Sequence, residues 1–167
     1  MGTTRVAKLD QYGLLQVAGD DARAFLHAQL TNDVENLHAG RARYAGWCSA
    51  KGRLLATFLV VPFAGGFLLQ LSRDLAPAVA KRLSMFVLRS KVKVTDVSGQ
   101  WSQFGIWAPG GGDPLTVVEN EGAVTIHIDA ERSLVLAGER LESNVADVEW
   151  MLEEVRAGRP LIAQATQ

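Results

Sequence analysis

The spacing of apolar positions changes several times along the chain, and each change marks an element. Leu14-Leu-Gln-Val-Ala18 is a short apolar run closed by Gly19, which predicts a strand. Ala22, Phe25, Leu26 and Leu30 then recur at helical spacing, with His27 just off their face and Asp20 or Asp21 placed to cap the helix. Tyr44 and Trp47 alternate with Ala45 and Cys48 along a further strand. The apolar runs Leu54–Val61 and Phe67–Leu71 flank Pro62-Phe-Ala-Gly-Gly66, whose two glycines can supply the positive φ angles of a hairpin turn.

A second helix is predicted after Ser72 or Asp74, with Leu75, Val79, Leu83, Phe86 and Val87 on its inner side and Pro77 tolerated in its first turn. Strands follow at 91–96, 101–107, 115–118, 124–128 and 134–137, interrupted by the loop Pro109-Gly-Gly-Gly-Asp-Pro114. A last helix from about Ser143 turns Val145, Val148, Met151, Leu152 and Val155 inward and stops at Gly158, before Pro160. The order predicts an α+β protein of mostly antiparallel sheets with helices packed on them.

Composition narrows the possible functions. At 167 residues and 48% apolar content the chain suits one domain or two small ones. Seventeen basic against eighteen acidic residues leave a charge of −1, so no general positive field favours nucleic acid, and direct nucleic-acid binding is not expected. Cys48 is the single cysteine, which excludes an internal disulfide and a cysteine-rich metal site, and it reads as a small buried strand residue. His27, His38 and His127 lack ligand spacing, so no metal is expected, and Gly110-Gly-Gly112 lacks the lysine of a phosphate loop. No apolar stretch reaches the length of a membrane span, and a cytoplasmic protein is expected, or one of an organelle matrix if a transit peptide is removed.

Polar groups concentrate in two runs, Phe25-Leu-His-Ala-Gln-Leu-Thr-Asn-Asp-Val34 and Tyr44-Ala-Gly-Trp-Cys-Ser-Ala-Lys-Gly-Arg53. With Leu83–Lys93 and Glu153–Ile162, these runs resemble the folate-binding proteins of the YgfZ/GcvT type. The likeness is to the YgfZ branch, linked to iron–sulfur cluster maintenance and tRNA modification. The resemblance implies two ferredoxin-like halves, a folate-binding first half at residues 1–110 and an incomplete second half at 111–167, with a boundary near Gly110. It also implies a third, β-barrel domain that this chain lacks.

As cofactor the resemblance implies tetrahydrofolate. Asn32 and Asp33 would pair with the polar edge of the pterin, and Trp47 would stack on its face. Lys51, Arg53 and Arg89 would meet the glutamyl carboxylates. Each residue also has a plainer role. Asn32 and Asp33 can cap their own helix, Trp47 can be core, Gly52 alone explains the Lys51-Gly-Arg53 turn, and Arg89 can complement a helix dipole.

The family's Lys-Gly-Cys-Tyr-x-Gly-Gln-Glu motif has no counterpart here, so the chain reads as the amino-terminal part of a longer protein or a naturally short form. No catalytic residue is nominated. An aminomethyltransferase of the glycine cleavage type is the competing expectation, but that family has an acidic pair where this chain reads Leu54-Leu-Ala-Thr57. An RNA-contacting protein is the third. Expected partners are reduced folate, iron–sulfur enzymes as clients and, through exposed apolar surface, a second copy of the chain; no membrane is expected.

Overall fold

A computed structural model describes residues 2–167. The chain runs β1 (Arg5–Lys8), β2 (Tyr12–Ala18), α1 (Ala22–Gln29), β3 (Arg43–Cys48), β4 (Leu54–Phe63), β5 (Gly66–Ser72) and α2 (Ala76–Ser84). It continues through β6 (Lys93–Asp96), β7 (Ser102–Trp107), β8 (Val117–Asn120), β9 (Ala123–His127), β10 (Arg132–Ala137) and α3 (Asp147–Arg156). Two compact units result. One takes the residues up to Asp10 with Gly99–Pro160, the other Gln11–Ser98 with Leu161–Gln167. The α+β class and the antiparallel pairing agree with the sequence pattern. The boundary expected near Gly110 does not: that loop joins β7 to β8 inside a single sheet.

In the unit built on Gln11–Ser98 the strand order is β3-β4-β5-β2-β6, all antiparallel. Without its edge strand β3, this is the order of a ferredoxin-like sheet, with α1 following β2 and α2 following β5. Ala22, Phe25 and Leu26 from α1 and Ala76, Val79, Ala80 and Leu83 from α2 join Leu15, Val17, Phe58, Val60, Phe67 and Leu69 in one core. Burying the valine, leucine and phenylalanine side chains among them contributes about 1.5–3 kcal/mol each.

The β4–β5 hairpin forms as expected but turns elsewhere. Phe63 pairs with Gly66, and the positive φ angles fall on Ala64 (50°) and Gly65 (77°). Gly66 serves a different need, since a Cβ there would lie 2.3 Å from the Val17 carbonyl oxygen on neighbouring β2. Asp21 occupies the N-cap position of α1 without capping it; its carboxylate instead accepts from the Lys91 N–H at 2.7 Å, fastening the approach to β6. Ser72 donates to Asp74 at 2.6 Å and makes no cap bond either.

The other unit has the order β1-β7-β10-β9-β8. The four-residue β1, which has too few apolar positions to stand out in the sequence, pairs with β7 from Arg5↔Trp107 to Lys8↔Phe104. Residues 143–145 are not the start of the last helix. Asn144 donates to the Thr4 carbonyl at 2.9 Å and accepts from the Val6 N–H at 2.8 Å, which closes the free edge of β1.

Helix α3 also turns a different face inward. Trp150 and Glu154 are buried, while Val148, Leu152 and Val155 are exposed. The indole lies against Gly105, where a Cβ would come within 2.2 Å of the ring, and meets Trp107 edge-on at 5.5 Å. Arg132 holds Asp129 through Nε at 2.8 Å and Glu154 through Nη1 at 2.9 Å, with its guanidinium 4.8 Å from the Trp150 ring centre. Arg159 adds a second bond to Glu154 at 2.9 Å.

Burial alone would raise the Asp129 carboxyl, but the Arg132 hydrogen bond, the Glu131 N–H and the nearby positive charge outweigh it and hold it below the ordinary 3.8. A carboxyl depressed in the folded state adds stability above its unfolded pKa and loses it as pH falls through the folded value. Stability is therefore expected to drop below about pH 4, and Asp129→Asn should flatten that acid limb while lowering stability at neutral pH. Urea unfolding between pH 7 and pH 3 tests this; parallel curves for parent and variant would contradict it.

Candidate functional site

Helix α1 ends because Leu30 turns extended (φ −98°, ψ 160°) and bridges to Trp47 on β3. The next residues continue along that edge strand, first through the Thr31 backbone and then through side chains. Thr31 N–H donates to the Gly46 carbonyl at 2.9 Å, and Thr31 Oγ1 accepts from the Gly46 N–H at 2.8 Å. Asn32 Nδ2 donates to the Tyr44 carbonyl at 2.8 Å while its Oδ1 accepts from the Asp33 N–H. Asn32 thus blunts the edge of its sheet as Asn144 does in the other unit. Each Asn32 amide atom keeps one further hydrogen-bonding position.

Asp33 sits in the turn that follows. Asn36 bonds its carboxylate through the side-chain amide at 2.7 Å and the backbone N–H at 3.1 Å. Those two bonds, with smaller help from His27 and Arg43, hold the Asp33 carboxyl below the ordinary carboxylate range. His27 Nδ1 accepts from the N–H groups of Val34 and Glu35, and Arg43 donates to the Asp33 carbonyl at 2.7 Å.

Arg23, which the apolar pattern passes over, organises this loop. One guanidinium nitrogen reaches the carbonyls of Val34 (2.9 Å), Glu35 (3.2 Å) and Leu37 (2.6 Å), and the group lies 5.1 Å from the Phe67 ring centre. Arg23→Ala is expected to cost about 2–3 kcal/mol, the scale of hydrogen bonds to a charged donor, and to speed amide exchange at residues 34–37. A loss below about 0.5 kcal/mol with unchanged exchange would contradict this.

Trp47 is 3% exposed and belongs to the core. Its Nε1 donates to Gln29 at 3.3 Å, Phe86 meets it edge-on at 6.4 Å, and the Arg82 guanidinium lies 5.7 Å from its ring centre. Stacking a pterin on Trp47 would require these neighbours to move. That part of the expected arrangement does not fit this conformation.

Phe86 stands where the sequence puts a core residue, yet it is 47% exposed. Helix α2 stops at Ser84, whose hydroxyl bonds back to the Ala80 carbonyl at 2.7 Å. Tight turns through Met85, Phe86 and Val87 then lead to Leu88, at a positive φ of 51°. This reversal, with Asp21, frames an open depression of roughly 650 Å³ lined by Asp21, Phe86, Val87, Leu88, Arg89 and Ser90. Arg89 is the one residue nominated from sequence that lines it.

Lys51 and Arg53 lie on the β3–β4 turn, closed by Ser49 N–H to the Arg53 carbonyl (2.8 Å) with Gly52 at φ 79°. The Arg53 guanidinium donates to the carbonyl of Gln167. The six nominated residues thus form three groups: Asn32, Asp33 and Trp47 along β3, Arg89 beyond Phe86, and Lys51 with Arg53 at the turn. Among the described residues no trio of His, Cys, Asp or Glu could hold a metal ion. No helix among them is long and apolar enough to cross a membrane.

Residues 4–128 match the GCVT N-terminal domain family. The chain belongs to that family. Its curated relatives place it with the YgfZ/IBA57 branch. An iron–sulfur cluster assembly factor IBA57 homolog, mitochondrial, from Cryptococcus neoformans var. neoformans serotype D is 32% identical over 96% of this chain and 42% of its own length. A tRNA-modifying protein YgfZ of Vibrio vulnificus is 28% identical over 53% of the chain and 28% of its own. The chain thus spans less than half the length of these two relatives. The aminomethyltransferase T of the Bartonella henselae glycine cleavage system shares the fold, with a TM-score of 0.70 and 15% identity over 80% of this chain and 42% of that one.

The GCVT-type donor set fits a reduced folate in part. An ionised carboxylate with spare lone pairs, an amide with an open position and exposed guanidinium groups suit the polar edge and acidic tail of that ligand. A free aromatic face is offered by Phe86 rather than Trp47. Sequence reading overlooks Phe86 and Asp21 because helical spacing assigns the first to the core and cap position assigns the second to α1.

Proposed function

We propose that this GCVT-family chain is a folate-binding module that takes up tetrahydrofolate and serves iron–sulfur cluster assembly or repair and tRNA modification. The observation that carries the reading is the depression at 86–90, which combines an exposed aromatic ring, a carboxylate and a guanidinium beside Trp47. Such a mix of apolar wall and few polar groups is the usual make-up of a small-molecule site. The names of the IBA57 and YgfZ relatives support the wider role.

In this reading Phe86 stacks on the pterin and Asp21 supplies an acceptor for its polar edge, while Asn32 and Asp33, beyond the other end of α1, lie outside that contact. Arg89 meets the glutamyl carboxylates, within a stretch from Lys81 to Lys93 that carries Lys81, Arg82, Arg89, Lys91 and Lys93 and no acidic residue. Arg53 joins only if its bond to Gln167 is released, and Lys51 lies on the same turn. The reading goes with the cytosol or an organelle matrix.

Aminomethyl transfer is the weaker reading despite the shared fold. In β4, Leu55 and Ala56 are core residues, and Thr57 Oγ1 accepts from the Ile162 N–H at 3.4 Å. That segment offers no carboxylate to a cationic carrier.

Titration with tetrahydrofolate at low and high salt, followed by tryptophan fluorescence, tests the proposal. Phe86→Ala and Arg89→Ala are each expected to weaken binding about tenfold, or 1.4 kcal/mol, with a much shallower dependence on salt for the parent than RNA binding would show. Parent-like affinity in both variants would remove the pocket assignment. A steep fall of RNA affinity with salt, without folate binding, would favour an RNA-contacting protein instead.

A further inference from the structure

Val148, Leu152 and Val155 of α3 are 65%, 47% and 72% exposed. Their spacing places them in one stripe along the helix, on the side away from Trp150 and Glu154. We propose that this stripe joins two copies of the chain, with their α3 helices packed antiparallel about a two-fold axis beside Leu152.

Register supports a second copy as the occupant. Across a two-fold axis, facing residues of an antiparallel pair have position numbers that add to nearly one value. Leu152 then faces its own counterpart, and Val148 faces Val155 of the second copy, so apolar meets apolar along the whole stripe. At about 100° per residue, Glu149 and Arg156 fall on the same flank. The same register brings Glu149 of each copy against Arg156 of the other, twice. Acidic residues in the first turn and Arg156 in the last also let each helix end lie beside the opposite dipole of its partner.

Forming these pairs disturbs little. Glu149 now holds Arg5, and Arg156 holds Glu153 at 2.8 Å, both in exposed pairs that contribute little to stability. A ten-residue helix is about 15 Å long and buries less than the roughly 800 Å² per partner of a standard interface. The association is therefore weak and concentration-dependent.

Sedimentation equilibrium on the full chain, from about 10 μM to about 1 mM, tests the proposal. The average mass is expected to rise from 18.1 kDa toward twice that value. Leu152→Glu should lower the association constant at least tenfold without moving the urea midpoint, and Val155→Lys should do the same from the other end of the stripe. Glu149→Arg should weaken association, and combining it with Arg156→Glu should restore it. A mass constant at 18.1 kDa would overturn the proposal and leave the stripe to a different polypeptide. Unchanged association in Leu152→Glu and Val155→Lys would place the contact elsewhere, and failure of the charge exchange would overturn the antiparallel register.

Discussion

Trp47→Ala is expected to destabilise the protein by about 3–5 kcal/mol, the cost of removing a buried indole and leaving a cavity. Trp47 is 3% exposed, shares a core with Leu30, Leu55 and Leu83, and is bridged through its backbone to Leu30. Losing the ring also leaves Gln29 without its indole donor and Phe86 without its edge contact. Trp47→Phe keeps an aromatic group in place and should cost much less. Urea unfolding separates the two roles of this residue. A tryptophan that serves as a ligand platform would give an alanine variant with weakened folate binding and an unchanged unfolding midpoint, contrary to the core assignment.

Arg132→Met should have an effect of similar size, about 3–5 kcal/mol. Arg132 is 4% and Glu154 8% exposed, so removing the cation strands Asp129 and a buried carboxylate. Arg159 still reaches Glu154, which places the expected loss toward the lower end of that range. Adding Glu154→Leu should recover much of it, because a well-packed apolar replacement for a buried ion pair is often neutral. Arg159 is partly exposed and can then turn to water. A loss under about 1 kcal/mol for Arg132→Met would indicate a solvated pair instead.

The same network shows where sequence reading reached its limit. Strands β2, β4 and β5 and helix α1 are legible because their apolar runs match the period of the element that forms. Counting aliphatic positions in α3 points to Val148, Leu152 and Val155 as the inner face. The structure instead buries Trp150, which has more apolar area than any of them, and Glu154, which answers Arg132 across the fold. A long-range ion pair leaves no periodic trace. The four residues of β1 are equally silent, since their partner is about a hundred positions away on β7.

At the candidate site, the polar cluster at 27–36 and the turn at 49–53 are visible as motifs, but the use of each side chain is not. Asn32 spends half of its amide capacity, one bond on the edge of β3 and one on the Asp33 N–H, and Asp33 is engaged by Asn36. Phe86 becomes available because α2 ends at Ser84 and the chain reverses through Leu88. Helical spacing alone would have carried it into the core.

Isothermal titration of the purified chain with tetrahydrofolate tests the central claim most directly. Saturable binding of one ligand per chain is expected, with an affinity that falls in Arg89→Ala. Absence of saturable heat up to about 1 mM ligand, for a chain whose circular dichroism shows it folded, would contradict it.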